Sequence, residues 1–536
     1  MKSSGEEEIQ NGETQSKLHT FTSVQVEVQQ RLFSDGLCQK GVVSELIKNR
    51  AAIIIVAALF VTVMQLPSSI SEPGLAISSP GYHAASEGYG NVPEVPYQWQ
   101  EINGFCQWAA LSMAFQHAGV PLDLHTLFAA SGIGFSYSYL RYEDTTLMLA
   151  GAWFKQMEPL PILAELYGLD IEIYIDPSGT FGALYSEALA SWGIGYTSLS
   201  GYSGALGLLR DTIDSGYPLV LWADPYHLPL RDYQIARDLG IESAETGSGH
   251  AITVVGYNDT SGTVMVQDPG AGAAEPEFGY PSDGRWLYEV NYTQLDDAWR
   301  ALGYGTIVVK PGSGQNGDFQ STLVHYILDR LRGDRTSYAE GFENVFFWNF
   351  GADAFMGASL DLTPEGITSY LDELDAADDM KRLIFKATYL MFEASLGIQY
   401  LAFRKAVDTL PLILPELDLS EFREYACESF PHFEAIGDNA SLVQLDYEGG
   451  STILTETANN IAQAWAETNL ETALTQYDAE LASIREHLAA IAESWSAAAD
   501  ALEAAFNKAD YTIPIVIGAS VVIVIAVVVL ARRRGS

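Results

Sequence analysis

The chain is 536 residues long, more than one hydrophobic core usually organises, so two folded regions with appendages are expected. Its 69 acidic residues against 28 basic ones give a net charge of −41, which argues against a nucleic-acid partner and describes a surface rather than a chemistry. Three cysteines, Cys38, Cys106 and Cys427, without any C-x-x-C pair, exclude a disulfide framework and offer neither a zinc nor a redox centre.

In chain order, a polar tail over 1–50 precedes the apolar segment 51–70, AAIIIVAALFVTVMQLPSSI, which reads as a transmembrane signal anchor, with a cleaved signal peptide as the alternative. Lys40, Lys48 and Arg50 lie before it, and no Lys or Arg follows until Arg141. The positive-inside rule then puts the tail in the cytoplasm and the following chain outside. A second apolar run, within 511–531, ends at Arg532, Arg533 and Arg534 and predicts a second transmembrane helix with a cytoplasmic basic tail, 532–536. Both ends agree on a cell-membrane protein with extracytoplasmic main domains. Sequons at Asn258, Asn291 and Asn439 are compatible with that placement.

Between these ends, 71–95 has the Ser, Gly and Pro content of a linker, and 96–310 mixes helical and strand patterns as an α+β domain. A second linker is expected over 311–318, then a helical domain over 319–455 and a long stalk helix over 456–510. Tyr477, Leu481, Ile484, Leu488, Ile491, Trp495, Ala498 and Leu502 keep a three-four spacing, which fits either a homodimer seam through 474–502 or a helix packed on its own domain.

Two stretches carry chemistry. In QEINGFCQWAALSMAFQHAG, Cys106 stands directly before a helix with Trp108, Leu111 and Phe115 on one face and Gly119 as its stop. A thiol there meets the positive end of the helix, which favours the thiolate. Gln100, upstream of it, can place a side-chain N–H beside the Cys106 backbone N–H as an oxyanion hole. In SGHAITVVGYNDTSGTVMVQDPG, two β-rich runs flank a turn at 258–262. If the turn centres near 259 or 260, pairing sets His250 opposite a position between Asp268 and Gly270, so the carboxylate can hold the imidazole. His227 beside Asp224 is an alternative base, better explained as a turn, and His117 is too far along its helix to reach the thiol. Neither zinc spacing nor a phosphate-binding loop occurs, and no cofactor or metal is expected.

Gln100 upstream of Cys106 at a helix start, the following Trp and Ala, and the distant His and Asp-Pro resemble papain-like cysteine peptidases, in particular bacteriocin-processing leader peptidases. FCQWAALSMAFQHAGVPL, GYPLVLWADPYHLPL and GHAITVVGYNDTSGTVMVQDPG are also similar to the N-terminal domain of the butirosin biosynthesis protein H family. Gln107 departs from the Gly usual after the nucleophile of leader peptidases. The resemblance implies a papain-like fold with the Cys-bearing helix on an antiparallel sheet, followed here by an all-α domain, a stalk helix and two transmembrane helices. It implies acyl transfer through a Cys106 thioester. The expected function is a membrane-anchored cysteine peptidase or amidase acting on a peptide, amide or thioester. The alternatives are an acyltransferase to an amine and a non-catalytic surface binding protein.

Overall fold

The computed structural model describes most residues from 88 to 534; the longest stretches outside the description in that range are 151–158, 234–248, 273–280, 338–345 and 438–451, and beyond 509 only the helical backbone is described. Twelve strands are described: β1 (Tyr89–Asn91), β2 (Ser138–Tyr142), β3 (Thr145–Ala150), β4 (Leu169–Ile175), β5 (Thr197–Ser198), β6 (Leu219–Ala223), β7 (His250–Asn258), β8 (Thr263–Gln267), β9 (Leu287–Asn291), β10 (Thr306–Pro311), β11 (Thr336–Ser337) and β12 (Phe346–Phe350). The larger sheet runs β5-β4-β10-β6-β7-β8-β9, with β1 joining the far end of β7. Its pairings are antiparallel except for β4 with β5.

The central strands are legible in composition. LVLWA in β6 is buried at every position and HAITVVGYN in β7 at all but the last, as strands covered on both faces require. The helix Cys106–His117 packs across β7 and β6. Its residues are buried from Cys106 through Phe115, so it is a core helix rather than the amphipathic one its spacing predicts. The polar groups this buries are satisfied: Ser112 Oγ donates to the Leu122 carbonyl at 2.6 Å, and Gln107 Oε1 accepts from Trp222 Nε1 at 3.0 Å. The helix ends at His117, and Gly119 at φ +88° turns the chain where a side chain would be strained.

Beyond the larger sheet the expected architecture needs correction. The second region is not all-α. A second sheet, β11-β12-β2-β3, pairs residues 336–350 with residues 138–150, which come from between two elements of the first region. Phe346–Phe350, FFWNF, has no alternation against the helices around it, and its antiparallel partner lies about two hundred residues earlier, a pairing that local pattern cannot reveal. The same excursion sends Tyr137 to stack on Phe355 at 4.2 Å between ring centroids and lets Gln399 Nε2 donate to the Gly134 carbonyl at 2.8 Å.

Nor is the last helix, Asp478–Arg534, a free stalk. Leu481, Ile484, Leu488, Ile491, Trp495, Ala498 and Leu502 are all buried, packed against helices Gly351–Asp361, Phe319–Arg332 and Ser420–Glu428 of the same chain. The three-four stripe therefore finds its partners within the molecule, and no dimer seam is left exposed there.

Among the described residues no helix is long and apolar enough to cross a membrane, which overturns the expected pair of transmembrane helices. Crossing takes about 20 consecutive predominantly apolar residues. The described side chains of Asp478–Arg534, which end before the expected span at 511–531, include Glu480, Arg485, Glu493, Asp500, Glu503 and Lys508, the polar face of a helix packed on a protein core. The tail 1–50 and the segment 51–70 lie outside the described residues, and so do the side chains of 511–531.

Candidate active site

β7 and β8 form a hairpin whose turn is built by Asn258: its Oδ1 accepts from Thr260 N at 2.9 Å and Ser261 N at 3.2 Å. The register sets Thr253 opposite Gln267, with a bulge between Val254 and Gly256, and just beyond the paired residues Gly270 lies against the His250 ring. His250 opens β7 and Asp268 follows β8 directly. His250 Nε2 lies 2.7 Å from Asp268 Oδ1, with the imidazole 9% exposed and the carboxylate fully buried.

The other ring nitrogen, Nδ1, is not engaged by the carboxylate, and the Cys106 sulfur is near enough to add to the forces that favour the imidazolium. Burial alone would lower His250, but the charge and hydrogen bond of the Asp268 carboxylate, with a smaller contribution from Cys106, dominate and raise it to about 10. Burial likewise opposes the charge on Asp268, yet His250, Tyr288 and the Gly270 N–H hold its carboxyl below the usual range. The two partners shift as an ion pair should.

Sequence reasoning missed the groups that hold Asp268. Tyr288, on β9, donates to Oδ2 at 2.6 Å, and Gly270 N donates to Oδ1 at 2.8 Å. Tyr233 Oη sits 3.1 Å from both carboxylate oxygens and 2.9 Å from His250 Nε2, so the Nε2 proton is shared between the carboxylate and a hydroxyl that itself donates to it. Tyr97 Oη donates to the Asp268 carbonyl at 3.0 Å while its ring stacks on Trp286 at 4.2 Å. Tyrosines scattered over three separate stretches share no spacing, and only β9 pairing with β8 marks Tyr288 as a neighbour of Asp268.

Gln100 is buried, and its backbone N–H donates to the Pro269 carbonyl at 3.0 Å, which brings it to the loop that follows Asp268. Gln107 ties the Cys106 helix to Trp222, whose ring meets Tyr185 at 4.6 Å. Burial, with the nearby Cys106 sulfur adding to it, raises Tyr185 to about 12, so its hydroxyl stays protonated near that sulfur. His227 ends a short 3-10 turn whose first N–H groups are capped by Asp224 Oδ1 accepting from Tyr226 N at 3.0 Å, and His117 Nε2 contacts the Gly216 carbonyl at 2.9 Å; neither belongs to the site. Cys106 and the exposed Cys427 are both free thiols, while Cys38 lies outside the described residues.

Gly270 tolerates no side chain. A Cβ there would stand 2.7 Å from Tyr233 Oη and 2.9 Å from His250 Cε1. Gly270→Ala is therefore expected to displace the imidazole and lower kcat/KM by about 10²-fold, the order that a misplacement of about 1 Å can cost. Wild-type kinetics in a folded Gly270→Ala protein would show that the imidazole has no such fixed position to lose.

A buried imidazole held between a carboxylate and a cysteine at a helix start now stands on an antiparallel sheet. Residues 92–305 match the Peptidase_C39 like family. This Peptidase_C39-like segment contains Gln100, Cys106, His250 and Asp268, and the match is consistent with the papain-like cysteine peptidase superfamily. At that coarse level the segment is similar to cysteine peptidases. No curated protein matches the chain.

Proposed function

We propose that the chain is a cysteine peptidase or amidase in which Cys106 is the nucleophile, His250 its acid and base, Asp268 the group that orients His250, and Gln100 an oxyanion donor. The observation that carries this reading is the position of His250, with Nε2 committed to a buried, multiply hydrogen-bonded carboxylate and Nδ1 left to the sulfur. His250 takes the thiol proton and the Cys106 sulfur attacks the carbonyl carbon of a peptide or amide. The C–S bond forms as the carbonyl electrons move onto oxygen, where Gln100 and the backbone N–H of Cys106 receive them. Collapse breaks the C–N bond, and His250 gives its proton to the departing nitrogen. Water, deprotonated by His250, then cleaves the thioester.

A vinyl sulfone or epoxysuccinyl probe on the full chain tests the reading. Labelling should fall on Cys106, well above the exposed Cys427, and vanish in Cys106→Ala; equal labelling of the two thiols would remove the proposal.

The ion pair also sets a pH dependence. Because the fold favours the protonated imidazole, the form that protonates the leaving nitrogen, kcat/KM should persist through neutral pH and fall as pH rises through about 10. In Asp268→Asn that alkaline limb should move down towards 6.5, the ordinary value for histidine. The same raised value makes the pair's contribution to stability fully present below 6.5 and lost as pH climbs through about 10. An alkaline limb that stays put in Asp268→Asn would deny the carboxylate this role.

A further inference from the structure

One side chain from outside the matched segment reaches the edge of the site. Lys405, on the helix Asp378–Ile413, donates to Glu101 Oε2 at 2.6 Å and lies 2.8 Å from His125 Nε2, which in turn is 2.8 Å from Glu101 Oε1. Glu101 directly follows Gln100. Its φ of +63° falls in the left-handed region, where a non-glycine residue stays only when its surroundings hold it. Burial would raise the Glu101 carboxyl, but the hydrogen bonds from His125 and Lys405 bring it down to about 2, so the anion that Lys405 grips is present throughout the working range. On its other side Gln100 is fixed by its backbone N–H on the Pro269 carbonyl, next to Asp268. The residue assigned to the oxyanion is thus clamped between the end of the β7–β8 hairpin and a cation supplied by the helical region.

We infer that Lys405 is a positioning residue for the reaction: by holding Glu101 in its left-handed conformation it sets Gln100 against the reaction centre at Cys106, and so makes the helical region a working part of the site. This rests on the proposed function, specifically on Gln100 as oxyanion donor. Removal of an oxyanion donor costs about 10²–10³-fold, and loosening one costs less.

Two reactions of one sulfur separate this role from a general loss of structure. With p-nitrophenyl acetate the Cys106 sulfur forms a C–S bond to the carbonyl carbon through a tetrahedral oxyanion, the C–O bond breaks and p-nitrophenolate leaves. With iodoacetamide the sulfur displaces iodide at a saturated carbon and no oxyanion forms. In the full chain Lys405→Met is expected to slow acylation about tenfold, less than the loss of the donor itself, while the alkylation rate stays at the wild-type level. Lys405→Arg should restore acylation, and in a Gln100→Ala background Lys405→Met should add nothing, as expected of two groups acting through one contact. Acylation unchanged in Lys405→Met, acylation and alkylation falling together, or losses that add to that of Gln100→Ala would each overturn the inference. If Cys106→Ala releases p-nitrophenolate as fast as wild type, the proposed function falls and takes the inference with it; a wild-type Lys405→Met beside an inert Cys106→Ala removes the inference alone.

Discussion

Replacing His250 with alanine is expected to lower kcat/KM by about 10²–10⁴-fold, the range that general acid-base catalysis supplies. The substitution removes both the acceptor of the Cys106 proton and the donor to the leaving nitrogen, and it leaves the Asp268 carboxylate buried with one charged partner fewer. Tyr233, Tyr288 and the Gly270 N–H still reach that carboxylate, so the fold has donors enough to keep it in place. Activity and secondary structure should therefore separate: hydrolysis of a peptide amide collapses while far-UV circular dichroism stays close to wild type, and the unfolding midpoint falls by the contribution the buried pair made. A His250→Ala protein that turns over within tenfold of wild type would sink the assignment.

The second large effect is on stability. Trp495 is fully buried, with its ring 4.5 Å from Phe403 and 5.0 Å from Phe355 between centroids, at the meeting point of three helices. Trp495→Ala should cost about 3–5 kcal/mol through lost burial and the cavity left behind. The indole Nε1 has no hydrogen-bond partner among the described residues, so the polar atom adds nothing to hold the ring. Trp495→Phe should accordingly cost much less than Trp495→Ala, and urea unfolding of the two variants checks this. Equal losses would mean that ring volume is not what the site requires.

How much of this was legible depended on whether the signal was local. The β7–β8 hairpin was readable because Asn258 to Gly262 is a turn by composition, and its register follows from where the turn sits. The helix start at Cys106 and its stop at Gly119 were local signals as well. What escaped was non-local. Tyr233 and Tyr288 converge on Asp268 from segments with no common spacing, and Lys405 lies about three hundred residues beyond the loop it grips. The three-four stripe from Leu481 to Leu502 was correctly a buried face, but periodicity states that a face is covered and not by what. The apolar runs at the two ends were read from hydropathy and flanking charge, and the described residues contain no helix that could span a membrane.

The passage of residues 131–150 into the second sheet has a practical corollary for anyone dividing the molecule. A fragment cut after residue 312 would keep β2 and β3 while forfeiting β12, their antiparallel neighbour, and would strip Tyr137 of the Phe355 ring it lies against. Such a fragment would present an open strand edge and bare aromatic surface, features that favour self-association. Joining 138–142 to 346–350 also demands closure of a very long loop, so this pairing is expected to form late and slowly in folding.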